Sequence, residues 1–205
     1  ALYMAKLVDF ELKNLKMIYK GDYNTKKGQH WGSRIAFDNK GHIFFSIGDR
    51  GNSDVNPQNL SRDGGIIYRL YLDGSIPDDN PFFGLPESRK SIYSYGHRNP
   101  QGMVYNKYTN KIWTHEHGPM GGDEINIIKP GKNYGWPIAS YYSKEPSTEL
   151  TKSRRHKTLG FEEPLWVMKI RAEWDFNIGP SRIIKFRDNY LVLSMSWSWL
   201  SGHGI

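Results

Sequence analysis

Arg34-Ile35-Ala36-Phe37-Asp38-Asn39-Lys40-Gly41-His42-Ile43-Phe44-Phe45-Ser46-Ile47 places two hydrophobic runs on either side of a turn that contains Asn and Gly. Both runs are rich in branched and aromatic side chains, and the turn residues tolerate a left-handed backbone. The stretch therefore reads as two β-strands joined by a tight turn. The same theme recurs in Ile66 to Leu72, which ends at Asp73-Gly74, and in Gly102 to Tyr105, Lys111 to Thr114 and Glu124 to Ile128. Ser181 to Phe186 and Tyr190 to Ser194 repeat it near the end of the chain. Helical periodicity is minimal; the weak candidates lie near Asn56 to Leu60 and Thr148 to Lys152.

The strand units also resemble one another. Gly32-Ser33-Arg34-Ile35, Gln101-Gly102-Met103-Val104 and Pro180-Ser181-Arg182-Ile183 each open a hairpin after a turn of small residues, about 70 to 80 residues apart. That spacing exceeds the roughly 40 to 50 residues of common blade repeats. It predicts an all-β fold of small antiparallel sheets, a β-propeller with long inter-strand loops and roughly three to four blades in this chain. A β-sandwich, the competing architecture, has no need of such long, polar, glycine-laden connections. Blade-like units are expected near residues 1–90, 91–140 and 160–205, within one domain.

Composition narrows the function classes. The 205 residues carry a net charge of +7, which invites a nucleic-acid reading. The positive residues are scattered, however, and the one dense run, Lys152-Ser153-Arg154-Arg155-His156-Lys157, has no interleaved aromatics. It reads as a solvated loop, and nucleic acid is not favoured. The absence of cysteine excludes disulfides and thiolate metal sites. No apolar run reaches the length of a membrane span. No Gly-Lys-Ser/Thr follows any glycine run, which excludes a phosphate loop. Ala1 is not an initiator Met, so a mature form or a piece of something longer is expected.

Chemistry concentrates between Ile92 and Pro137. Tyr95-Gly96-His97-Arg98-Asn99-Pro100-Gln101-Gly102-Met103 is followed by Glu116-His117-Gly118-Pro119-Met120-Gly121-Gly122-Asp123-Glu124 and Asn133-Tyr134-Gly135-Trp136-Pro137. Cations, carboxylates, amides and tight turns in one region suit a site that grips an anionic, metal-bound ligand. A zinc reading of His115 and His117, which share a strand face at i and i+2, lacks a recognisable third ligand.

Three further motifs occur in order before that region: His30-Trp31-Gly32-Ser33-Arg34, Ser46-Ile47-Gly48-Asp49-Arg50-Gly51 and Tyr71-Leu72-Asp73-Gly74-Ser75-Ile76-Pro77-Asp78-Asp79-Asn80-Pro81. From about His30 to Pro137 the chain resembles the soluble, pyrroloquinoline-quinone-dependent glucose and aldose sugar dehydrogenases, which are six-bladed β-propellers. The resemblance implies hydride transfer from the anomeric carbon of an aldose to the calcium-bound quinone, giving a lactone. It implies that His30 is the general base and that Asp49 orients it. It places Arg98 and Asn99 against the quinone, whose carboxylates suit a guanidinium fork and an amide, with Arg98 also stabilising charge on the reduced ring. The resemblance also counts His117 among the cofactor-binding residues; it stands where the glucose enzymes have an amide residue, which leans towards aldoses in general.

By the same resemblance, the carbonyls of Gly118 and Pro119 would bind the cofactor's calcium ion, and Glu124 with an oxygen of Tyr134 a second, structural one. Trp136 reads as packing. The implied partners are the sugar, an external electron acceptor, and a second copy or another chain that completes the ring; the implied compartment is periplasmic or extracellular. Where the family has a lysine that clamps the cofactor, Leu193 to Trp199 has none. Taken without the resemblance, His30 is a turn residue and Asp49 an ordinary turn carboxylate. A second reading of the same fold is a catalytically silent binding propeller.

Overall fold

The computed structural model describes residues 1–23, 26–119, 121–141, 156–167, 180–186 and 189–194. Twelve strands run through these residues: β1 (Leu2–Val8), β2 (Glu11–Tyr19), β3 (Ile35–Phe37), β4 (His42–Ile47), β5 (Ile66–Tyr71), β6 (Ile92–Tyr95), β7 (Pro100–Asn106), β8 (Lys111–Glu116), β9 (Glu124–Ile128), β10 (Trp166–Val167), β11 (Pro180–Phe186) and β12 (Asn189–Ser194). They form two four-stranded antiparallel sheets, β3-β4-β5-β6 and β7-β8-β9-β10, flanked by the hairpins β1-β2 and β11-β12. Consecutive strands pair in sequence order, which is how a propeller blade is wound.

Period-2 alternation distributes β4 and β5 between two cores. Ile43 and Phe45 with Ile66, Tyr68 and Leu70 face one side, where Ile92, Leu2, Ile18 and Tyr19 join them. Phe44 and Ile67 face the other, against Met103, Ile112 and Ile128 of the second sheet. A strand covered on both faces needs a continuous apolar run, and Ile66 to Leu70 is buried throughout. Arg69 is the polar exception on β5. Its Nε donates to Asn80 at 2.7 Å and its guanidinium pairs with Asp79.

The register sets which strand ends meet. Ile47 pairs with Ile66 on β5, Pro100 with Glu116, and Glu116 with Glu124. The ends of β4, β6 and β8 and the starts of β3, β7 and β9 therefore emerge on one side. The loops that carry His30, Asp49, Arg98, Asn99, His117, Gly118 and Pro119 depart from this side, whereas Tyr134 lies in the connection that leaves the end of β9.

Three expectations need correction or completion. Asn56 to Leu60 is not helical: Val55 bonds back to Asn52 and Asn59 to Asn56 in successive turns, and Pro57 offers no N–H. The second helix candidate lies outside the described residues, as do positions 152–155 of the basic run. His156 of that run is buried, not solvated; it opens a short 3₁₀ turn and its ring stacks on Tyr141 at 4.9 Å. The β1-β2 hairpin was not anticipated. Its turn uses Asp9 and Phe10, both with positive φ (49° and 63°), and Phe10 is 99% exposed. No helix of the described residues is long and apolar enough to cross a membrane.

Candidate active site

Four loops build the site. Residues 20–34 bring His30, the β4-β5 loop brings Asp49, the β6-β7 turn brings Arg98 and Asn99, and the segment after β8 brings His117. His30 Nδ1 lies 2.6 Å from Asp49 Oδ1. Asp49 is fully buried and accepts three further hydrogen bonds, from Gly51 N (2.7 Å), Ser53 Oγ (2.7 Å) and Trp136 Nε1 (2.8 Å). Burial pushes its carboxyl upward, but the bonds from His30, Ser53 and Gly51 outweigh burial and hold it below the usual carboxylate range. An ionised carboxylate can only accept, so the proton of the neutral imidazole sits on Nδ1. Nε2 then keeps its lone pair and has no partner among the described residues.

Backbone geometry enforces this pair. His30 adopts φ +53°, a region that a side-chain-bearing residue enters only when its surroundings demand it. The demand comes from Gly48. A Cβ there would lie inside contact distance of the His30 carbonyl oxygen and 3.0 Å from Asn99 Oδ1. Gly48→Ala should therefore destabilise the fold by roughly 1–3 kcal/mol, read by chemical denaturation, and should lower any activity that depends on His30. A fully stable Gly48→Ala chain would contradict this packing.

Arg98 and Asn99 are tied to the same place. Asp49 N donates to the Arg98 carbonyl at 2.7 Å, joining the two loops. The Arg98 guanidinium lies 5.3 Å over the Trp136 ring and donates through Nη1 to the His117 carbonyl at 3.1 Å; its Nε is buried without a partner. Asn99 Oδ1 accepts from Gly32 N (3.1 Å) and from Gln101 Nε2 (2.9 Å). A backbone N–H can only donate, so the Asn99 amide orientation is fixed and its NH₂ faces away from these partners. The site thus offers a guanidinium and an amide donor beside a lone-pair imidazole. Burial depresses the pKa of the His117 imidazole, and its Nε2 meets the Pro180 carbonyl at 2.6 Å.

Glu116 is the residue that sequence reading passed over. Its carboxylate accepts from Arg98 N (2.7 Å) and from Asn126 Nδ2 (2.9 Å), and it faces His97 Nδ1 at 3.0 Å. His97 in turn meets Ser94 and stacks on Tyr134 with ring centroids 4.5 Å apart. Burial raises the Glu116 carboxyl, yet His97 and the N–H groups of Arg98 and Asn99 bring it below its ordinary value. The signal available in the sequence was a Glu closing β8; that it pairs with a second carboxylate, Glu124, emerges only with the register.

Behind this hub lies a cavity of about 20 Å³, room for one water-sized occupant, lined in part by Glu116, Gly118, Pro119, Glu124 and Tyr134. Burial, then Glu116 and Asp123, push the Glu124 carboxyl well above the carboxylate range, and among the described residues it accepts a side-chain hydrogen bond from Asn126 alone, at 3.2 Å. Such a poorly compensated carboxylate is what a cation would relieve. The Tyr134 hydroxyl is engaged, donating to Ile127 O (2.6 Å) and accepting from Lys129 N (3.0 Å), so a cation here would use its backbone carbonyl. Asp123 holds the Gly118 N–H at 2.8 Å and shapes the loop. Among the described residues no group of three or more His, Cys, Asp or Glu is placed to hold a metal. Zinc at His115 gains no support: burial, then His117, push its pKa down to about 4, and no third ligand converges among the described residues.

The structure thus brings His30, Asp49, Arg98 and Asn99 together on one side of the sheets, with His117 alongside. Gly118, Pro119, Glu124 and Tyr134 gather around the small cavity. Leu193 and Ser194 close β12, and the positions after them lie outside the described residues.

Comparison with known proteins gives a concordant result. The family model described as Glucose / Sorbosone dehydrogenase matches residues 1–196. The aldose sugar dehydrogenase YliI of Escherichia coli (strain K12) is 39% identical over 166 residues, covering 81% of this chain and 43% of that protein. Quinoprotein glucose dehydrogenase B of Acinetobacter calcoaceticus is 32% identical over 174 residues, covering 68% and 36%. The solved apo-form of the soluble aldose sugar dehydrogenase of Escherichia coli matches with TM-score 0.78 and 34% identity, over 88% of this chain and 51% of that one. The PQQ-bound aldose sugar dehydrogenase of Streptomyces coelicolor matches with TM-score 0.67 and 29% identity, over 90% and 47%. The chain spans about half the length of these solved structures, and less of the curated relatives.

Proposed function

Because this chain belongs to the glucose/sorbosone dehydrogenase family, we propose that it supplies the base-and-cofactor half of a quinoprotein that oxidises the anomeric carbon of aldoses to lactones. The observation that carries the reading is the convergence of the His30–Asp49 pair with the Arg98 guanidinium and the Asn99 amide, whose oxygen is engaged and whose NH₂ remains to donate. A binding propeller has no need for an oriented imidazole with a free lone pair beside a buried guanidinium.

The residues divide the work. His30 Nε2 takes the proton of the anomeric hydroxyl, and Asp49 keeps the ring in the tautomer that can accept it. Arg98 and Asn99 present donors to the oxygens of an anionic cofactor, and Arg98 balances charge that builds there. His117, uncharged near neutral pH, borders the sugar side without adding positive charge. Arg98 and Asn99 would hold pyrroloquinoline quinone, which would supply a hydride acceptor that an external oxidant could renew; the carbonyls of Gly118 and Pro119 would hold a calcium ion supplying Lewis acidity, and Glu124 with the Tyr134 carbonyl would hold a second, structural ion.

Purified chain given pyrroloquinoline quinone and calcium should reduce an artificial acceptor dye when an aldose is added. No dye reduction, with no quinone absorbance retained after gel filtration, would sink the reading for this chain.

The calcium assignment has its own readout. At about a hundred times its dissociation constant, calcium should stabilise the chain by about 2.7 kcal/mol, or roughly 5–10 °C in melting midpoint. Glu124→Gln should reverse the order. Without calcium the variant is the more stable chain, since the fold disfavours the ionised Glu124 carboxylate that it lacks, and with calcium it is the less stable one. A wild-type midpoint indifferent to calcium would remove the ion from the account.

A further inference from the structure

Trp136 lies outside the roles assigned so far, yet it touches both halves of the site. Its backbone is pinned: Trp136 N donates to the Gly96 carbonyl at 2.9 Å, and Gln58 Nε2 donates to the Trp136 carbonyl at 2.7 Å. Its indole N–H donates to Asp49 Oδ2 at 2.8 Å, while His30 meets the other carboxylate oxygen at 2.6 Å. Its ring face carries the Arg98 guanidinium at 5.3 Å. An indole N–H is donor only, so the contact with a carboxylate has one possible polarity.

We propose that Trp136 is a positioning residue: it turns the Asp49 carboxylate towards His30 and seats Arg98, so that one side chain sets the spacing between base and cofactor-facing cation. This rests on the reading of His30 as the base. Without the indole, Oδ1 keeps Gly51 N but Oδ2 keeps only the rotatable Ser53 hydroxyl from the carboxylate's own loop; the indole, from the connection after β9, adds a fixed donor to Oδ2 from outside that loop. The charged and titratable groups that face the pair are Arg50 beside Asp49, Arg98 across it, and His117 beyond His30. None of them replaces the indole hydrogen bond.

Trp136→Phe keeps a ring under Arg98 and deletes the N–H. Asp49 then loses one donor, more negative charge faces the imidazole, and protonated His30 is favoured. In nitrogen-labelled chain without cofactor, the NMR titration midpoint of His30 should rise by roughly half a pH unit to one unit. Trp113→Phe, whose buried indole has no partner and stacks on Tyr190 at 4.2 Å, should leave that midpoint in place. In quinone-loaded protein, Trp136→Phe should lower kcat about ten- to a hundred-fold, with KM changed less than about two-fold.

A His30 midpoint unchanged in Trp136→Phe would overturn the proposal. Should that variant fail to fold, the indole N–H resonance of Trp136 decides instead: it should move in Asp49→Asn, and an unmoved signal overturns the proposal equally. A chain that shows the shifted midpoint but never turns over an aldose would support the positioning role and count against the enzymatic reading.

Discussion

His30→Ala should lower turnover of the quinone-loaded protein by about 10²–10⁴-fold, the usual worth of a positioned general base, while leaving quinone affinity nearly unchanged. The ring lies at the end of a chain of hydrogen bonds that begins in Asp49, and it makes no hydrogen bond with Arg98 or Asn99. Its removal should therefore show in kcat far more than in KM. Asp49→Asn should fall in the same direction, because an amide can present N–H to Nδ1 and so favour the wrong tautomer. The double variant should be little worse than His30→Ala alone, since the two act as one unit. Acid should not act through Asp49. Its folded pKa is depressed, so its ionised form persists in the folded chain as pH falls through the ordinary carboxylate range, while its contribution to stability is full above the unfolded value and is lost as pH falls from there through the lower folded one. An acid limb in the activity profile thus reports a group other than Asp49. A His30→Ala chain with full turnover would end the base assignment.

The largest effect on stability should come from Glu116→Ala. The side chain is buried and receives donors from the backbone of Arg98 and from Asn126, with His97 at 3.0 Å. Deleting it leaves these groups unsatisfied in a region of low dielectric, for a loss of about 3–5 kcal/mol. For a chain of this size that corresponds to a fall in melting midpoint on the order of 10 °C or more. The turn holding Arg98 and Asn99 should loosen as well, so quinone affinity should drop together with stability. Glu116→Gln, which keeps the volume but turns a donor towards other donors, should fall between the two. Because the folded pKa of Glu116 is also depressed, its contribution should be full above the unfolded carboxylate value and fade as pH falls through the lower folded one. Loss below about 1 kcal/mol in Glu116→Ala would contradict the hub.

Much of the fold is legible in the chain because blades are local. Asp38 to Gly41 announces the β3-β4 turn, and the runs at 42–47 and 124–128 match β4 and β9 to the residue. The β1-β2 hairpin is invisible to the same reading because its turn is Asp9-Phe10, without the Gly or Asn that usually takes positive φ, and most of its side chains are exposed. β6 is short and hidden behind the turns at 73–91, while β10 is only two residues long. For the site, residue types and motif order located His30, Asp49, Arg98 and Asn99. The orientation of each depends on partners far away in sequence: Trp136 is 87 residues from Asp49, and Gly32 is 67 from Asn99. Trp136 read as packing because a Trp before Pro has no pattern that reveals where its N–H will point. Glu116 read as one carboxylate among several because its partners meet only after β8 and β9 pair.

The central claim is that His30–Asp49, Arg98 and Asn99 together form one site for an anionic quinone. The most direct test is a titration of pyrroloquinoline quinone into wild-type and Arg98→Ala chains with calcium present, followed by difference absorbance. The account predicts saturable one-to-one binding in the wild type that is weakened at least about ten-fold by Arg98→Ala. Binding that fails to saturate, or that saturates equally well without the guanidinium, would contradict it.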